Sequence, residues 1–72
     1  MNVDRMNGIM NAIRYYPCNI RELANLTNIP APVVEEYINK LLDEKLAEVS
    51  HVRKLKMVTV TYYRLIDRVK RY

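Results

Sequence analysis

Glycine is almost missing from this chain: Gly8 stands alone among 72 residues. With no glycine- or serine-rich tract and no internal repeat, no linker can be drawn, and residues 1–72 are expected to form one domain. Cysteine is equally scarce. Cys18 cannot make an internal disulfide, and with His51 the lone histidine there is no Cys/His set for a metal. A Ser/His/Asp set, a nearby Cys/His pair and a glycine-rich phosphate loop are also lacking, so the sequence predicts a protein that is not an enzyme and takes no cofactor. Cys18 then reads as a small hydrophobe and His51 as a solvated side chain. No apolar run approaches the roughly 20 residues of a membrane span, and MNVDRMNG has no signal-peptide pattern. A soluble, cytoplasmic protein without membrane contact is expected.

What is present is an ordinary globular composition, half apolar and 28% charged. A chain of this size buries only about 60% of its unfolded surface, which predicts a thin core. The formal charge of +4 conceals a division. Residues 1–48 carry five cations against seven carboxylates, whereas residues 49–72 carry seven cations against Asp67 alone. Positive charge gathered in one third of a chain is the footprint expected for a polyanion partner, with a solvated basic edge as the plain alternative.

The apolar spacing of Val3, Met6, Ile9/Met10 and Ile13 predicts an amphipathic helix over 3–15, capped by Asn2. Gly8 inside it costs about 1 kcal/mol relative to alanine and marks a candidate close helix contact. Tyr15-Tyr16-Pro17 ends it, because a residue before proline is pushed out of helical geometry. Asn19 with Glu22 forms a capping-box pattern, and Cys18 with Leu23 occupies staple positions. A helix over 20–27 follows, expected to bury Ile20, Leu23, Ala24 and Leu26. Asn28 suits a left-handed position and Ile29 returns to the core. Pro30 and Pro32 frame a third helix over 31–45, in which Val34, Tyr37, Ile38, Leu41 and Leu42 make the apolar stripe. Residues 46–49 and 57–63 read as strands, the second rich in β-branched and aromatic residues. HVRKLK, residues 51–56, lies between them as a cationic tip. Residues 66–72 form a further short basic helix or fray. The predicted fold is mainly α with a small β-hairpin, a winged helix-turn-helix.

Residues 19–49, NIRELANLTNIPAPVVEEYINKLLDEKLAEV, resemble the helix-turn-helix core of the multiple-antibiotic-resistance and arsenical-repressor types of winged-helix regulator. Ile20, Glu22-Leu23-Ala24, Ile29, Val34, Leu41 and Leu46 stand at the family's spacing, and TYYRL (61–65) resembles the returning wing strand. The resemblance implies double-stranded DNA as the partner and a recognition surface on helix three at Ala31, Pro32, Val33, Glu35, Glu36 and Asn39. The residues themselves fit that role unevenly. Asn39 has an amide suited to adenine and Lys40 beside it is positive, but Glu35 and Glu36 would be repelled by phosphates. Their acidity also has a structural explanation, since acids near a helix N-terminus offset its partial positive charge. Phosphate attraction is therefore expected from Arg21, Arg53, Lys54 and Lys56, with a homodimer on paired half-sites paired through helix one or the residues near Tyr72. The alternative is a protein partner docking on the acidic face of Glu35, Glu36 and Asp43.

Overall fold

The computed structural model describes residues 2–66 of the chain. Helix α1 spans Val3–Tyr15, α2 Ile20–Thr27 and α3 Ala31–Asp43; strands β1 (Ala47–Leu55) and β2 (Val58–Leu65) close the molecule as an antiparallel hairpin. The arrangement is mainly helical with a small hairpin, in winged-helix order.

Local chemistry accounts for each boundary. The Asn2 side chain accepts from the Arg5 amide at 3.2 Å, while the Asn2 amide donates to the Tyr37 hydroxyl at 3.1 Å and ties α1 to α3. At the other end Tyr16 is extended ahead of Pro17. The capping box of α2 is complete: the Glu22 amide donates to Asn19 Oδ1 at 2.7 Å and the Asn19 amide to Glu22 Oε1 at 3.1 Å. Asn28 takes the left-handed conformation (φ 61°, ψ 32°) that lets the chain turn without glycine. Pro30 and Pro32 then cost nothing, because the first amides of a helix have no partner within it.

The core is one cluster. Ile9 and Ile13 of α1, Leu23 of α2, and Val34, Tyr37, Ile38 and Leu41 of α3 are buried, joined by Cys18, Ile29 and Ala47. Leu42 lies at its edge. Two residues of the expected stripes stay outside: Val3 is 69% exposed and Leu26 68% exposed. Val3 is the first residue of α1, and Leu26, in the last turn of α2, lies about 60° around the helix from Leu23, at the edge of the buried face.

Helix α3 stops at Asp43, two residues earlier than its expected end at 45. Lys45 adopts φ 60°, and the chain closes with the Leu46 amide donating to the Leu41 carbonyl (2.9 Å) and the Lys45 amide to the Leu42 carbonyl (3.1 Å). This is the Schellman closure, made here by lysine in a position usually given to glycine.

The hairpin differs most from expectation. Residues 51–55 belong to β1 and are paired with β2, so the cationic segment is strand and not loop. The turn itself is Lys56-Met57, with φ 54° at Lys56. Ser50 is an extra residue between Val49, opposite Tyr63, and His51, opposite Tyr62. Such a bulge sharpens the twist and re-aims the distal part of a strand. A third, single-residue strand adds to the sheet. Cys18 and Tyr63 exchange backbone bonds of 3.0 and 2.8 Å, placing β2 between Cys18 and β1. The expected C-terminal helix, the residues near Tyr72, and Arg68, Lys70 and Arg71 lie outside the described residues.

Candidate nucleic-acid interface

Strands of nine and eight residues run about 26–30 Å. A core this small covers only their base, and every residue from His51 to Thr59 is exposed. Pairing fixes the two faces of the ladder. Glu48–Arg64, His51–Tyr62, Arg53–Val60 and Leu55–Val58 share one face; Ala47–Leu65, Val49–Tyr63, Val52–Thr61 and Lys54–Thr59 share the core-side face. Arg53 and Lys54 therefore point to opposite sides of the wing, with Lys56 at its turn. Among the described residues, no carboxylate pairs with Arg53, Lys54 or Lys56. Arg64, in contrast, is held by Glu48 at 2.6 Å.

The wing carries more than charge. His51 stacks on Tyr62 with ring centroids 4.4 Å apart and planes 8° from parallel, and its Nδ1 lies 3.1 Å from the Ser50 hydroxyl. Leu55 and Val58 are half exposed, and Met57 at the turn is 97% exposed. Apolar groups ringed by Arg53, Lys54 and Lys56 give the tip both a charged and a dehydrating surface.

The second part of the candidate site is α3. Ala31, Pro32, Glu35, Glu36, Asn39 and Lys40 are all exposed, and Val33 is half buried. The positive charge of Lys40 is shared, since its Nζ lies 3.1 Å from the Glu44 carboxylate one turn later. Pairs of this kind contribute about 0.3–0.5 kcal/mol on an exposed helix. With Glu35, Glu36 and Asp43 added, the outer surface of α3 is acidic. Arg21 is exposed at the start of α2 with no carboxylate partner among the described residues. The capping box has already used the amides of Asn19 and Glu22, so fewer outward N–H groups remain there for a phosphate.

These residues do not form one continuous patch. Helix α3 meets the hairpin at its base, where Ala47 is buried and the Leu46 amide bonds Leu41. Arg53 stands six residues further along β1, about 20 Å away. The structure thus gathers Arg53, Lys54 and Lys56 at the distal wing and Ala31, Pro32, Glu36, Asn39 and Lys40 on α3, with Arg21 beside β2. Sequence reasoning missed Tyr62, whose ring completes the His51 stack, and the Cys18–Tyr63 bridge. The alternation in VTVTYY could have exposed the first, because it assigns Tyr62 and Tyr63 to opposite faces. Nothing in a lone cysteine before a helix cap announces the second.

Cys18 is buried and its Sγ lies 3.4 Å from the Tyr16 carbonyl. Burial raises its thiol above the ordinary value of 9.0, and the Glu22 carboxylate raises it further. Among the described residues, no group of three or more His, Cys, Asp or Glu converges as a metal site, and no helix is long and apolar enough to cross a membrane.

Comparison with protein-family models and with curated proteins finds no match for this sequence.

Proposed function

We propose that the chain is a double-stranded DNA-binding winged-helix module, a small transcriptional or replication regulator that holds phosphates with its hairpin. The observation that carries this reading is the wing itself: Arg53, Lys54 and Lys56 at the exposed end of a long hairpin, with no carboxylate of the described chain to neutralise them. The resemblance of residues 19–49 to winged-helix regulators supports it. So does the length of the wing, which carries Arg53 six residues, about 20 Å, beyond Ala47 at the hairpin base, a reach within one duplex turn of about 34 Å. In this reading the wing supplies attraction, Arg21 adds a phosphate contact, and Asn39 is the base-reading side chain of α3.

Salt titration of binding to a random duplex tests it. Three to five phosphate contacts give a log–log slope of about −3 to −4.5. Replacement of Arg53, Lys54 and Lys56 by alanine should flatten the slope and abolish binding at moderate salt. Affinity unchanged by that triple replacement, or absent even at low salt, removes the assignment.

Pairing of two copies through α1 fits the same reading. Gly8, with Asn11, Ala12 and Tyr15, lines an open groove of about 620 Å³ against Leu26 and Thr27. A Cβ placed on Gly8 would meet only Thr27 Cγ2, at 3.9 Å, so the fold of one copy does not require glycine there. Sedimentation equilibrium checks the pairing, and a chain that stays monomeric at high concentration ends it.

A second reading is supported by the ion pair on α3. With Lys40 turned to Glu44, the exposed Glu35, Glu36 and Asp43 offer a negative surface suited to a basic protein partner.

A further inference from the structure

The Cys18–Tyr63 bridge determines which way the β2 backbone faces. Tyr63 gives both its N–H and its C=O to Cys18. Strand periodicity of two then directs the N–H and C=O of Thr61 and Thr59 to that same edge, away from β1. After Cys18 the chain turns into the cap of α2 at Asn19, so pairing ends after one residue. No described residue bonds the outward backbone groups of Thr59 or Thr61. In their place lies a groove of about 670 Å³, with Asn19, Ile20 and Arg21 on one wall and the run from Val58 to Tyr63 on the other.

We propose that this groove binds an extended acidic peptide of a partner protein, which adds to the free edge of β2 as a strand and places a carboxylate on Arg21. Beyond the Cys18 bridge, the open edge from Thr59 to Thr61 is three residues, about 10 Å of extended chain. It alternates donors and acceptors, as another peptide backbone does; a sugar–phosphate chain has no N–H groups for the carbonyls. Ile20, Val60 and Tyr62 give the groove the apolar walls that side chains of an added strand need.

Charge selects the occupant. Arg21 is the charged residue lining the groove, no carboxylate lines it, and Lys54 stands opposite Thr59 on the neighbouring strand. A second copy pairing through its own β2 would bring its Arg21 and hairpin cations against these, so self-pairing is opposed. An acidic strand satisfies both the backbone and the side chains. The proposal goes beyond DNA binding, although it shares Arg21 with that reading.

Amide chemical-shift mapping on the full chain tests it, with Glu-Val-Glu-Val-Glu, blocked at both ends, as the probe. The expected result is perturbation and slowed hydrogen exchange at the Thr59 and Thr61 amides, with binding weakened about tenfold by Arg21→Glu, a coupling of about 1.4 kcal/mol. Lys-Val-Lys-Val-Lys and Glu-Val-Pro-Val-Glu should bind more weakly. Silence at Thr59 and Thr61 with millimolar acidic peptide, or equal binding of the lysine peptide, overturns the proposal. A DNA duplex is read in the same experiment by shifts at Arg53, Lys54 and Lys56, so either interaction can fail without the other.

Discussion

At the residue scale, Cys18 shows how a single side chain serves several structural purposes without being a reactive group. Its backbone forms the third strand, its side chain joins the core, and its position precedes the α2 cap. Burial and the Glu22 carboxylate both disfavour the thiolate. The consequence for stability has a definite sign. Above the ordinary value of 9.0 the unfolded chain releases the thiol proton, while the folded chain keeps it until a higher pH. The unfolded state is therefore favoured as pH rises beyond that point, and the stabilising contribution, full at neutral pH, is lost. Urea denaturation at pH 7 through 10 should show stability falling at the alkaline end, with a smaller fall in Cys18→Ala. Thiol reagents at neutral pH should label native Cys18 no faster than the chain opens. Fast labelling would contradict the buried, protonated thiol described here.

At the scale of elements, the hairpin turn combines folding cost with binding. Lys56 is the first residue of a two-residue loop and has φ 54°, a region in which a side chain costs about 1–2 kcal/mol and glycine costs little. Lys56→Gly should stabilise the fold by about 0.5–1 kcal/mol, read as a Tm higher by about 2–8 °C. The same change removes one cation, so duplex binding should weaken and the salt slope should become shallower by about 0.9. A variant less stable than the parent would show that the turn is not strained at Lys56. The turn also explains which elements were legible. Helix starts could be read because Asn2, Asn19 and Pro30-Ala31-Pro32 are caps and first-turn residues with local chemistry, and Asn28 announced its left-handed position. Stops made by lysine were not. Lys45 and Lys56 take positive φ without the glycine that normally signals it, so the sequence pattern extends α3 two residues past its end and stops β1 short of Leu55. HVRKLK reads as a loop because cations are uncommon in a strand interior. It is a strand because a wing beyond the core has solvent on both faces, and alternation no longer marks an inside. The candidate site was legible as a set of charges, whereas its division between α3 and the distal wing depended on the length of a strand that polar patterning concealed.

At the scale of the whole molecule, the division of charge becomes a division in space. The acidic surface of α3 and the cationic wing stand at separate places, and a duplex lying across both would meet attraction at one and repulsion at the other. Glu35 and Glu36 are exposed, so their replacement should leave the core unchanged. If α3 faces the duplex, Glu35→Gln with Glu36→Gln should tighten binding by about three- to tenfold near 0.1 M salt, where the screening length is about 10 Å. The gain should shrink as salt rises toward 1 M and screening shortens to about 3 Å. A double variant with unchanged affinity would place α3 away from the phosphates and leave the wing and Arg21 as the whole interface. If affinity for DNA is unchanged and binding to a basic protein partner is lost, the acidic surface is the functional one. The outcome turns on distance, because a carboxylate more than one screening length from the duplex has almost no effect on binding, whereas one facing a groove opposes every phosphate it meets.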